Sequence, residues 1–311
     1  MNLLKTYQYL ICGPLAVVTL ALVILTEASG ADIGERKLIY SKESLYNNIY
    51  VYRWQNYLSM TFGHNRKIYT ESILNIKDEL DLPVTYTKFL TAGAAYTKKL
   101  DNILMIGLGA GRTSWYLHRH LPASDITAVE LDPEVISIAQ RFFGLKGNEQ
   151  YKLVENDGRR FLMRDESVYD LILIDAYRGP FVPFHLLTQE FYAEVKAHLG
   201  PHGVMAQNVE PSTMLFDSAF ATISSIFDHV DAYPADSNVV LVAYASEPIS
   251  EFQLDSRSRE LQNQYGFRYP LPELIGERRS FSPQPGGKVL TDDFAPVNAL
   301  RSIEVHNRKW E

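Results

Sequence analysis

The chain has 311 residues, 46% of them hydrophobic, a net charge of −7 and a single cysteine. That length and apolar content suit one large domain with attachments and exclude a disordered or fibrous protein. The acidic balance, with no Lys/Arg cluster, argues against a nucleic-acid partner, and one cysteine excludes an intrachain disulfide or a Cys-based zinc site.

In chain order, residues 6–26 carry no charged side chain. A bilayer-spanning helix takes about 20 such residues, so residues 1–31 are expected to form an uncleaved, single-pass membrane anchor. The alternative is a cleaved signal peptide leading to export, with Lys5 before the apolar run and Ala28, Ser29, Gly30 and Ala31 after it. Lys5 on one side and Arg36 and Lys37 on the other leave the orientation open. A cytosolic nucleotide ligand would place the soluble part on the cytoplasmic face of the inner membrane. Residues 36–82 hold aromatic, alternating runs such as Asn48–Tyr52 and Tyr57–Phe62, which predict a small antiparallel β-subdomain. A helix is expected from Tyr86 to Leu100.

Residues 83–249 read as an α/β Rossmann-like nucleotide-binding domain. Strands are predicted at 103–107, 126–131, 150–155, 170–175, 203–209, 228–233 and 238–244. Helices are predicted at 113–121, 133–143, 158–164, 189–199 and 212–226. Strands separated by helices imply a mostly parallel sheet covered on both faces. The last two strands are joined by too few residues for a crossover, so they should form an antiparallel hairpin. This is the seven-stranded pattern of class I S-adenosylmethionine-dependent transferases. Residues 250–311, with a helix predicted near 256–265, form a C-terminal extension packing on this domain.

The strongest motif is Ile103–Ser114, in which an apolar strand runs into Gly107, Gly109 and Gly111 and then a helix. Such glycines turn the backbone tightly and allow close approach. Glu130 ends the second strand 23 residues after Gly107, where its carboxylate can accept from both ribose hydroxyls. Asn156-Asp157-Gly158 opens a helix after the third strand, where Asp157 can accept from an adenine amine. Asp175 ends the fourth strand, next to the reactive end of such a nucleotide. Taken singly, Asp157 is also a good helix N-cap, Glu130 a solvated strand end and Asp175 a loop cap. Together they stand at the carboxyl ends of successive strands, where open α/β sheets bind ligands. That pattern points to an adenosyl ligand and to no metal.

On these residues, with Asn156–Phe161, Asp170–Ala176, Leu187–Tyr192 and Thr291–Pro296, the chain resembles the spermidine synthase family of polyamine aminopropyltransferases, in its divergent, membrane-associated bacterial branch. The resemblance implies decarboxylated S-adenosylmethionine as co-substrate, a putrescine-like amine as acceptor, a homodimer and a catalytic role for Asp175. The chain departs from the family at three places. Ala110 stands where the family has Asp in the glycine loop, Lys88 where it has Glu after Tyr86, and Arg178 where it has a second Asp beyond Asp175. An arginine is no base at neutral pH. Glu210, Asp292 and Asp293 are candidate replacements for the missing charge, and His185 and Tyr177 lie in the loop over the site. Two other readings stay open. With Asp absent at 110, intact S-adenosylmethionine can bind with its carboxylate near Arg112 or the helix N-terminus, giving a methyltransferase, or the chain can be a non-catalytic adenosyl-nucleotide binder.

Overall fold

The computed structural model describes residues 35–64, 67–178, 181–211, 215–279 and 287–293. The expected anchor and the end of the C-terminal motif lie outside them. Among the described residues no helix is long and apolar enough to cross a membrane. The chain divides into residues 1–37 and 38–311, and the second unit carries the site.

Seven strands form the central sheet: β5 (Asn102–Ile106), β6 (Asp125–Glu130), β7 (Tyr151–Glu155), β8 (Tyr169–Ile174), β9 (Leu199–Val209), β10 (His229–Ala235) and β11 (Asn238–Tyr244). Successive strand side chains point to opposite faces. Ile103 and Met105 of β5 therefore join one buried cluster, while Leu104 and Ile106 join the other. Burial on both faces is what an unbroken apolar run in a parallel strand requires. The order is β10-β11-β9-β8-β5-β6-β7, parallel from β9 to β7. β11 runs antiparallel to both β9 and β10, and β10 and β11 pair from His229↔Tyr244 to Ala235↔Asn238. The fold is thus the class I S-adenosylmethionine-dependent transferase architecture, with a four-stranded N-terminal sheet added.

That smaller sheet has β1 (Lys37–Glu43), β2 (Asn48–Trp54), β3 (Tyr57–His64) and β4 (Lys67–Asn75) in sequential order, with β2–β3 and β3–β4 antiparallel. Its inward residues Ile49, Val51, Met60 and Leu74 share a core with β5 and the C-terminal helices.

On that face lie α1 (Thr85–Thr91), α2 (Arg112–His120) and α3 (Pro133–Phe142); on the other lie α4 (Gly158–Leu162), α5 (Gln189–Ala197) and α6 (Phe216–Ile226). Side-chain caps start three of these six helices, α3, α4 and α5. Asp132 accepts from the Glu134 amide with Pro133 in the first turn, and Thr188 accepts from Phe191.

The helix expected at 86–100 ends at Thr91 and tightens into a 3₁₀ turn, Ala92–Ala95. Small residues let this turn press on the sheet: a Cβ on Gly93 would lie 2.9 Å from Leu171. In the C-terminal extension, α7 (Glu251–Tyr265) starts five residues earlier than expected, because Ser250 and Gln253 form a capping box. It is followed by a short α8 (Leu271–Gly276) that sequence periodicity does not reveal. Leu254, Leu261, Phe267 and Leu271 bury against the core that contains Leu90 and Tyr116, so the extension is part of that core.

Ile172 is fully buried in β8. Ile172→Ala is expected to lower the unfolding free energy by about 2–5 kcal/mol, read as a lower urea midpoint at unchanged slope.

Candidate active site

Parallel register brings the ends of four strands into one row. Ile106 pairs with Val129 on one side and Ile174 on the other, and Glu130 pairs with Glu155. The residues that follow these strands enclose a cavity of about 370 Å³, lined by Gly107, Gly109, Glu130, Asp157, Gly158 and Asp175. This is the switch point of the sheet, where ligands of open α/β folds sit.

The tight geometry has an internal cause. Gly107 has φ +87°, and a Cβ there would lie 2.3 Å from the Asp175 carbonyl oxygen. A Cβ on Gly158 would lie 2.3 Å from Cγ2 of Ile106. These glycines therefore admit the protein's own neighbours, in addition to any ligand on the cavity side. Gly111 caps α2 against Leu145 and does not line the cavity.

Glu130 holds the glycine loop. Its Oε2 accepts from the amides of Leu108 (2.9 Å) and Gly109 (3.4 Å), and its Oε1 accepts from that of Asp132 (3.0 Å). Burial raises the Glu130 carboxyl above its ordinary range, partly offset by these amides. A carboxylate offers about four acceptor positions, so capacity for a sugar hydroxyl remains.

Asp157 is a helix N-cap with a second partner. Its Oδ1 caps α4 by accepting from Arg160 N, and its Oδ2 meets Nε2 of His185 at 2.9 Å, both residues lining the cavity. The His185 hydrogen bond holds the Asp157 carboxyl below its usual range.

Asp175 lies at the far end. Oδ1 accepts from Asn208 Nδ2 at 2.9 Å, and Tyr86 adds a second side-chain hydrogen bond. Burial outweighs both and pushes the carboxyl up to about 6. Asn208 is itself fixed: its side-chain oxygen accepts from Asn238 (3.0 Å) and its backbone carbonyl from the Tyr177 hydroxyl (3.1 Å). Sequence reading missed Asn208, since nothing in a strand-end asparagine marks its partner.

The smaller sheet supplies a wall that sequence reading also missed. Tyr46, Asn47, Phe62 and Ser72 line the cavity. Ser72 Oγ accepts from the Ala110 amide at 3.0 Å, and Asp132 accepts from Ser44 Oγ at 2.5 Å and from Asn47 Nδ2 at 3.3 Å.

The other sequence candidates fall elsewhere. Arg112 is buried, donating to the backbone carbonyls of Phe143 and Glu79, and does not line the cavity. Burial lowers its guanidinium to about 10. It cannot seat a ligand carboxylate from there. Glu210 borders a separate, much smaller cleft, and Asp292 forms a two-pronged ion pair with Arg159 on α4 (2.7 and 2.5 Å). Neither lines the main cavity. Lys88 lies over the Tyr269 ring at 4.6 Å, and Ala110 is fully buried; both are absent from the cavity lining. Arg178 does line it.

Gly158→Ala is expected to cost about 1–3 kcal/mol of stability through overpacking. Ile106→Ala in the same chain should recover part of that loss, a non-additivity that a denaturation double-mutant cycle reads directly.

Residues 84–261 match the spermine/spermidine synthase domain. The chain is 30% identical over 297 residues to the polyamine aminopropyltransferase of Vibrio vulnificus, covering 92% of this chain and 98% of that one. Among solved structures it is similar to a probable spermidine synthase from Corynebacterium glutamicum (TM-score 0.64, 19% identity, 83% of this chain and 97% of that one). It is also similar to human methyltransferase-like protein 13 in complex with SAH (TM-score 0.54, 22% identity, 65% and 97%). The glycine loop and the acidic strand ends thus lie within a domain match that covers more than half of the chain, and the chain belongs to the spermine/spermidine synthase family.

Proposed function

We propose that this site passes a 3-aminopropyl group from decarboxylated S-adenosylmethionine to an amine. The observation that carries the reading is Asp175: a carboxyl raised to about 6, held by Asn208 and Tyr86 at the end of a nucleotide-sized cavity, in a chain of this family. In the reaction the acceptor nitrogen attacks the carbon next to the sulfonium. The N–C bond forms, the C–S bond breaks with its electron pair left on sulfur, and the neutral thioether 5′-methylthioadenosine leaves. One proton must go from the nitrogen to a base.

A free amine has a pKa near 10.4, so at neutral pH it arrives protonated. A base whose own pKa lies close to the working pH can take that proton and release it again. Asp175 has that poise. At the other end, the acceptor capacity left on Glu130 suits a ribose hydroxyl, and Asp157, kept ionised by His185, suits the adenine amine.

The pH dependence has a definite sign. Asp175 is raised, so below about pH 6 it is protonated and cannot accept; kcat/KM should fall as pH drops through that value. A bound sulfonium favours the carboxylate, so the matching limb in kcat should lie lower. Asp175→Asn is expected to reduce kcat/KM by about 10²–10⁴-fold and to erase the acid limb. An unchanged limb in the variant would remove Asp175 from the chemistry.

We further propose that residues 6–26 hold the enzyme in the inner membrane with the site facing the cytoplasm, where its nucleotide is found. Terminal sequencing of the chain from membrane fractions should then begin at Met1 or Asn2. A start close to Ala31 would mean a cleaved signal peptide.

A further inference from the structure

The charges around the cavity are unevenly satisfied. Four carboxylates line it, and each has partners within the protein. Glu130 holds backbone amides, Asp132 holds the start of α3 with Ser44 and Asn47, Asp157 holds Arg160 N and His185, and Asp175 holds Asn208 and Tyr86. Arg178 is different. It lines the same cavity and is exposed, and its guanidinium has no hydrogen-bond or ion-pair partner among the described residues. Its backbone is pinned: its amide donates to the Phe181 carbonyl at 2.8 Å.

The reactive end therefore presents one carboxylate and one guanidinium, three residues apart along the loop. Lys88 adds no charge there, since it lies over Tyr269, and Ala110 adds none. A diamine offers two ammonium groups to such a pair, and one of them must meet a like charge. An amine that carries a carboxylate matches the pair: its nitrogen goes to Asp175 and its acid group to the planar guanidinium fork, which suits carboxylates bidentately. Three residues of extended chain span at most about 10–11 Å between Cα atoms, so both charges stem from one short segment of the cavity wall.

We propose that Arg178 is a carboxylate-recognition residue, so that the site takes an amino-acid-type substrate rather than a bare diamine. This rests on the transfer reading above and deepens it. The carboxylate can come from two sources, the acceptor amine or the methionine portion of intact S-adenosylmethionine. In the first case the bonds made and broken are those already described, with the attacking nitrogen belonging to an amino acid.

The test uses the full chain, the Arg178→Gln and Arg178→Lys variants, and two readouts. Calorimetry measures binding of 5′-methylthioadenosine, decarboxylated S-adenosylmethionine and intact S-adenosylmethionine. Initial rates with the decarboxylated donor compare ornithine with putrescine and lysine with cadaverine, pairs that differ only by the carboxylate. The wild-type chain is expected to favour the carboxylate member of the acceptor pairs, or the intact donor, by roughly tenfold or more, the scale of one charge-assisted pair. Arg178→Gln should abolish that ratio, and Arg178→Lys should keep only part of it. The pair in which the ratio collapses identifies the source. If Arg178→Gln still binds 5′-methylthioadenosine but shifts neither ratio, or if the wild-type chain shows no preference in either, carboxylate recognition is overturned while the transfer reading stands. If the wild-type chain binds none of the three nucleotides, the transfer reading fails and this proposal with it.

Discussion

The site exists because two backbones must touch. The chain leaving β5 passes so close to the chain leaving β8 that any Cβ on residue 107 would lie 2.3 Å from the Asp175 carbonyl oxygen. Glycine lets the sheet ladder run to its very end, with Gly107 N donating to Val129 O at 2.9 Å and Asp175 N to Ile106 O at 2.8 Å. The next two amides, of Leu108 and Gly109, then turn toward Glu130. A single steric requirement thus sets the glycine, frees two donors, positions the Glu130 carboxylate that receives them and delivers Asp175 to the same cleft. Gly158 likewise admits a close neighbour, here the Ile106 side chain. Packing of the sheet and assembly of the site are here the same event.

Environment then divides equivalent side chains into different roles. Asp157 and Asp175 are both strand-end aspartates, yet one is held below its ordinary range and the other is raised to about 6. Burial dominates at Asp175, and the donor dominates at Asp157. Asp157 faces His185 and a helix-start amide, groups that favour the ionised form. Asp175 faces a neutral amide and a phenol, too little to offset the loss of water around a charge. A carboxylate meant to hold a ligand must stay ionised, whereas one meant to cycle a proton must not be locked in either state.

What was legible in the sequence was whatever depends on local pattern. The seven strands of the main sheet and its antiparallel hairpin follow from apolar runs alternating with helical segments and from loop length; the predicted bounds fall within two residues, except that β9 starts four residues earlier. The acidic strand ends could be located because a parallel sheet aligns them. What was not legible depends on contacts between distant segments. Ser72 meets the glycine loop across 38 positions and Asn208 meets Asp175 across 33, and no periodicity encodes either. The destination of Asp292 was equally hidden: its charge reads as available until Arg159, far away in the chain, is seen to hold it.

The same distinction explains which parts of the site depart from the family pattern. At the Glu130 and Asp157 end of the cavity, backbone amides of Leu108, Gly109, Asp132 and Arg160 hold the acidic side chains. Backbone amides of this kind are supplied by any non-proline residue, so they survive most substitutions. The Asp175 end is lined by side chains from α1 and the loop after β8, where one replacement alters the charge. Lys88 illustrates how a replacement is accommodated. Its ammonium rests on Tyr269, whose hydroxyl donates to Asp81 at 2.6 Å while Arg268 pairs with Asp78. The segment after α7 thereby absorbs a charge that would otherwise face an incoming ammonium. Arg178 has no such counterweight among the described residues, and its charge is left at the cavity, where a ligand can meet it.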